Sequence, residues 1–192
     1  MAREQVKLVS AAKKVAKAKP PVPVTLVDAK GARIANDPWS FVADDQSAEQ
    51  GGDVVVSVKR LLGECEALSN RPKGGRIGVK ILTSDAIEEI APYINQLALI
   101  AVDFPIYRDG RGYSTARLAR ERYHFKGDLR AIGDVLQDQL FAMLRCGFSS
   151  FTLKAKDPEA AFASAARTFS HVYQPATDGR RTIVAERLEK KA

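Results

Sequence analysis

The sequence predicts an α/β domain: a mostly parallel sheet of about five βα units, open three-layer or half-barrel, preceded by a β-hairpin. Three observations carry this reading. After residue 53, short β-branched runs alternate five times with helical segments, the pattern of parallel strands joined by right-handed crossovers. The run LALIAVDF, residues 97–104, is apolar without alternation, as in a strand covered on both faces. At 192 residues the chain falls short of a full eight-fold barrel but can bury one sizeable core.

Each element has a local reason. VTLVDAKGARIA, residues 24–35, places two β-rich runs around Asp28–Gly31, a hairpin signature. Trp39 and Phe41 follow Asp37-Pro38 and are expected to cover an edge of the core. Residues 43–53 form a polar loop, 53–58 a strand, and 59–70 a helix interrupted by Gly63. After the strand 76–82, Asp85 and Glu88 resemble a capping box opening the next helix, in which Pro92 is a misfit. Beyond the buried strand, a helix is expected over Ser114–Tyr123 with Ser114 as its N-cap. A short strand Leu129–Ile132 then leads to a helix Asp134–Cys146. Asp134 and Gln137 open it, and Leu136, Leu140 and Leu144 stripe it. Gly147 and Phe148 fit a Schellman end. After strand 150–153, Asp157 caps a last helix with Pro158 at its first position. Phe162, Ala166, Phe169 and Tyr173 are spaced to share one face of it.

Charge divides the chain into a basic leader (1–23), a single α/β domain (24–175) and a charged tail (176–192). Of the formal +7, residues 1–20 carry +5 and 176–192 carry +2, so the body between them is neutral. A phosphate-binding groove shows in the folded body, so this distribution argues against nucleic acid. No apolar run reaches membrane-span length and no signal-peptide pattern follows Met1, so the expected location is cytoplasmic, with no membrane partner. Cys65 and Cys146 form no CxxC, and His124 and His171 stand alone, so no metal site is expected. Cys146, at a helix C-terminus, gains nothing from the dipole toward a thiolate and reads as packing. The chain shows no flavin fingerprint, haem motif or cluster ligand set, so no cofactor is evident in it.

Candidate binding chemistry gathers after the buried strand. Arg108, Asp109, Gly110, Arg111 and Gly112 form a charged, glycine-bearing loop, and Tyr113 and Ser114 begin a helix whose free N–H groups suit an anion. Gly110 and Gly112 mimic the start of a dinucleotide fingerprint but lack its third glycine. Arg117, Arg120 and Glu121 fall near one helix face, either a salt-bridged surface or an arginine patch for an oxyanion or an acidic partner. Gly133 and Asp134 repeat the strand-to-helix geometry, with Asp138 in the following turn. Asp103, Asp109 and Asp134 could converge at the strand-end edge, although loop position and capping explain each separately.

The runs DFPxYxDGRGYSxARLxRERY (103–123) and GDLRAIGDVLxDQLFxMxRCGF (127–148) resemble domain-of-unknown-function family 934 of bacteria. Its members are commonly encoded beside assimilatory sulfite reductase and described as oxidoreductases of sulfite reduction. Looser similarity covers the N-terminal hairpin, Asp37 and Trp39, and the segment ending in VYQ. The resemblance implies an accessory, adaptor or electron-delivery role in sulfur assimilation and cysteine biosynthesis. The expected partners are sulfite reductase and its electron donor, which would hold the redox cofactors. It marks Asp109 to Ser114, Arg117, Arg120, Arg130, Gly133, Asp134, Asp138, Gln139, Arg145, Cys146 and Gly147 as motif positions, without assigning a catalytic residue. The alternative expectation is an enzyme binding a small anion or phosphometabolite through the DGRGYS loop.

Overall fold

A computed structural model describes residues 24–48, 51–71 and 74–189. The expected basic leader, 1–23, lies outside the described residues. Seven strands form one sheet: β1 (Val24–Asp28), β2 (Trp39–Phe41), β3 (Asp53–Ser57), β4 (Ile77–Leu82), β5 (Leu97–Phe104), β6 (Asp128–Val135) and β7 (Ser150–Lys154). Their spatial order is β1-β7-β6-β5-β4-β3-β2, and only β1 runs antiparallel to its neighbour. Strands β2 to β7 therefore lie side by side in chain order. Successive right-handed crossovers in that order place every connecting helix on the same face, and the sheet curls as a half-barrel.

The expected five βα units are present as β3 to β7 with α1 (Val58–Ser69), α2 (Ile87–Ile90), α3 (Arg111–Glu121), α4 (Leu140–Arg145) and α5 (Pro158–Ala166). Two further strands extend the sheet, one at each edge. The expected hairpin shrinks to a turn at Asp28–Gly31 and a single bridge from Val27 to Arg33, and the other edge of β1 pairs with β7.

One face of each strand packs under the helices. Val56, Ile81, Ile100, Val102, Phe104, Leu129 and Phe151 join Leu61, Ile90, Leu140 and Met143 in the main core. Each such side chain contributes roughly 1.5–3 kcal/mol on burial, so this face dominates stability. The opposite face, open in that no helix among the described residues covers it, has a smaller apolar cluster of Trp39, Val55, Leu99 and Ala101. Beside it lies a layer of charge. Arg130, with 4% of its side chain exposed, bonds Asp37 (2.6 Å), Asp128 (3.2 Å) and the Ser150 hydroxyl (3.2 Å). Arg76 bonds Asp53 and lies over the Trp39 ring, 5.1 Å from its centroid. Trp39 thus faces the open side of the sheet.

Several helix boundaries differ from expectation. Helix α3 starts at Arg111, with Gly110 at the N-cap and no side-chain cap bond, so Ser114 is an exposed residue inside the helix. Asp134 does not open a helix. Strand β6 continues through it, because Gly133 adopts φ +92° where the β6–β7 register shifts. A short 3-10 turn, Gln137–Gln139, precedes α4, and Gln139 rather than Asp134 caps it by accepting the Leu136 N–H at 3.0 Å. Leu140 and Met143 are fully buried, whereas Leu136 and Leu144 are half-buried. Asp85 accepts the Leu82 N–H instead of capping α2. The Pro92 misfit resolves as a four-residue α2 followed by a 3-10 helix, Ala91–Gln96, with proline in its first turn. Helix α5 keeps its Asp157 cap but ends at Ala166, leaving Phe169 and Tyr173 exposed. Beyond Pro175, Thr177 donates to the Arg145 carbonyl, Arg145 pairs with Asp178, and Ile183–Glu189 forms α6. No helix among the described residues is long and apolar enough to cross a membrane.

Candidate functional site

The apolar strand β5 delivers the chain to Pro105 at the C-terminal edge of the sheet, where ligand-binding loops of parallel sheets lie. There the loop 105–110 is fastened on two sides. Toward β4, the Asp109 carboxylate accepts the Thr83 hydroxyl (2.7 Å) and the Arg111 guanidinium (2.7 and 3.0 Å). Toward β6, the Tyr107 N–H donates to Asp134 (3.2 Å), and the Tyr107 carbonyl accepts the Gln139 amide (2.5 Å). Lys154 of β7 holds Asp134 from behind at 2.8 Å. What remains outward is Ile106 (54% exposed), Tyr107 (44%) and Arg108, whose guanidinium lies 5.5 Å from the Tyr107 ring centroid. Leu82, at the end of β4, is also exposed. The site is a pinned loop bearing an apolar, aromatic and cationic crown.

Electrostatics reinforce the pinning. The Arg111 guanidinium, with help from the Thr83 hydroxyl, holds the Asp109 carboxyl well below the usual carboxylate range. Lys154 lowers Asp134 in the same sense, aided by the Tyr107 N–H. Burial pushes the Tyr113 phenol up to about 12, with the charges of Cys146 and Asp138 acting in the same direction. Tyr113 packs edge-on against Phe104 and is therefore a neutral wedge under the loop. Burial also raises the Cys146 thiol, which makes it a poor nucleophile.

The structure separates the other candidates. Gly112 lies against Phe104, where a Cβ would meet the ring at 2.6 Å, so it serves helix–strand packing. Arg117 pairs with Glu121 (2.8 Å) on the exposed face of α3. Arg120 is not beside them on that face. It turns inward and donates to the carbonyls of Gly147 (3.0 Å), Phe125 (2.6 Å) and Gly127 (3.0 Å). The expected arginine patch is thus divided, with Arg108 and Arg111 at one edge of the sheet and Arg120 at the other. Arg130 lies in the open-face layer, Asp138 is exposed in the 3-10 turn, and Gly110 borders open solvent. Gly147 completes the Schellman end as expected: its N–H reaches Leu144 O and that of Phe148 reaches Met143 O.

Sequence reasoning missed the open face. Lys80 of β4 pairs with Asp103 of β5 at 2.9 Å, beside a cleft of about 640 Å³ bordered by Ser57, Leu82 and Asp44. The available signal was a lysine midway along the apolar strand IGVKIL, and likewise an arginine between Leu129 and Ala131. A charge in such a run requires a partner on the same face. Asp103, Asp109 and Asp134 each hold a separate cation, and among the described residues no group of three or more His, Cys, Asp or Glu is arranged to hold a metal ion.

Fold and site define an α/β half-barrel, covered by helices on one side, with a fastened loop crown at its strand ends. Residues 78–184, more than half of the chain, match the family model described as "Bacterial protein of unknown function (DUF934)", and the chain belongs to that family. No curated protein matches it.

Proposed function

We propose that this chain is a cytoplasmic accessory subunit of assimilatory sulfite reduction, docking sulfite reductase or its electron donor through the loop crown. The pathway assignment rests on the sequence resemblance, and the docking role on one observation. Ile106, Tyr107 and Arg108 project from a loop fastened through the Asp109 carboxylate to Thr83, just past β4, and through the Tyr107 backbone to Asp134 of β6 and Gln139 beyond it. Tyrosine and arginine dominate binding energy at protein interfaces, and a loop already held in place loses little entropy on binding. In this reading the partners carry the redox cofactors. The rival reading, an anion-binding enzyme using the same loop, draws less support, because Arg111 is turned onto Asp109 and Gly112 lies against Phe104.

The test is co-purification of the chain with sulfite reductase and its donor at low and high salt, alongside Tyr107→Ala and Arg108→Glu. Both side chains are exposed, so the fold survives the changes. Retention by the parent, weakened by salt and abolished in the double variant, is expected. Retention that ignores both substitutions refutes docking through the crown. A visible absorption spectrum of the purified chain separates the roles, since intrinsic flavin, haem or cluster bands would make it a carrier rather than an adaptor.

A further inference from the structure

A second cavity lies at the opposite, N-terminal edge of the strands, away from the loop crown. It encloses about 680 Å³ between the C-terminal ends of α3 and α4, and Thr177 to Arg180 close one side. Arg120, in the last turn of α3, and Lys126, in the turn into β6, line it. Its carboxylates are already matched: Glu121 holds Arg117, and Asp178 holds Arg145 and Arg180. Neither Arg120 nor Lys126 forms an ion pair among the described residues. Arg120 donates to three backbone carbonyls, which orient a guanidinium without cancelling its charge. Its Nη2 edge has only a long contact, 3.5 Å, to the Ser149 hydroxyl. The nearest acidic influence, Asp128, is engaged by Arg130, Ser149 and Ser150. Held by three carbonyls and the Phe125 ring, 5.5 Å away, and with its one acidic neighbour engaged elsewhere, Arg120 keeps a positive charge that an anion can match.

The position of Arg120 is also strictly built. Gly147 has φ +92°, and a Cβ there would stand 2.6 Å from Arg120 Cγ and 3.0 Å from the Thr177 hydroxyl. The same arginine holds the carbonyls on either side of Lys126, fixing that residue's backbone at the cavity wall. Leu144, Phe148 and the Phe125 side chain supply apolar surface alongside. The volume falls within the range of small-ligand sites, roughly 300–1,000 Å³.

We infer that this cavity binds an anion with a tetrahedral oxygen head, phosphate or sulfate, seated between Arg120 and Lys126, with any organic body against Leu144 and Phe148. This is a site separate from the docking crown, and it stands or falls independently of it.

The experiment is thermal unfolding and calorimetric titration of the full chain at constant ionic strength, with chloride, inorganic phosphate, inorganic sulfate, AMP and adenosine. Phosphate, sulfate or AMP should raise Tm saturably while chloride and adenosine do not. AMP binding more tightly than either inorganic ion identifies an esterified head as the ligand, and the reverse identifies the free oxyanion. Lys126→Glu, at an exposed side chain with no bond to lose, should weaken binding at least about tenfold without lowering the ligand-free Tm. Lys156→Glu, the same charge change at an exposed lysine just past the C-terminal end of β7, should leave affinity within about twofold. No shift beyond chloride, or equal affinity in Lys126→Glu, overturns the inference.

Discussion

A methyl group at Gly133 would sit 2.4 Å from the Phe104 carbonyl oxygen and 2.6 Å from the Asp103 carboxylate, on a backbone at φ +92°. Both the clash and the left-handed conformation act against Gly133→Ala, so a loss of about 2–4 kcal/mol in urea unfolding is expected. Wild-type stability in Gly133→Ala would mean that β6 relaxes its bulge freely. Twenty residues earlier in the chain, Tyr113 offers a spectroscopic check. Its folded value near 12, against an ordinary value of 10.0, means that the unfolded chain loses the phenolic proton first. The contribution of Tyr113 to stability is therefore complete below about pH 10 and is lost as pH rises through about 12. Absorbance titration should show one tyrosine ionising late, and Tyr113→Phe should remove that step. At this scale the sequence was half legible. Gly147 and Asp157 carry capping patterns that act through neighbours in the chain, so both were readable. Gly133 and Gly112 answer to Phe104, a residue brought near only by the fold.

Helix α3 shows how two arginines three residues apart diverge in role. Arg117 faces solvent with Glu121, an i,i+4 pair of the kind that contributes a few tenths of a kcal/mol. Arg120 joins the end of α3 to the turn before β6 and to the Schellman turn after α4. Arg120→Ala strips three carbonyls of their donor at once. It should cost about 2–4 kcal/mol, against under about 0.5 kcal/mol for Arg117→Ala, both measured by chemical denaturation. Comparable losses in the two would show that the inward bonds contribute nothing. Helical spacing places both residues near one face, but it does not say which way a long flexible side chain turns. That choice is made by carbonyls left exposed at two turns, one of them 27 residues away in sequence. Strand β6 hid its length for a related reason, since Gly133-Asp134 has the composition of a helix start. Only the bulge against β7 and the Lys154 bond explain why it stays extended.

Across the molecule, the open face sets the largest question, because parallel sheets usually cover both sides. Here the covering at the N-terminal end is ionic. The chain leaves β1 at one edge, re-enters at β2 on the opposite edge, and is bonded midway by Asp37 to Arg130 of β6. One buried arginine thus ties that crossing to the sheet and pairs with both Asp37 and Asp128. The five-unit alternation was readable because each unit repeats a local period. This tie was not, because its partners lie 93 residues apart. Removing Arg130 strands two carboxylates beside the Trp39 cluster, whereas removing Asp37 leaves Arg130 paired with Asp128. Arg130→Met should therefore cost about 3–5 kcal/mol and Asp37→Asn clearly less. The double variant should fall short of the sum of the singles, since the two groups act on one bond. A denaturation cycle over the four proteins measures this directly. Strict additivity would show that the crossing and the sheet are held independently, with the half-barrel relying on its helix-covered core alone.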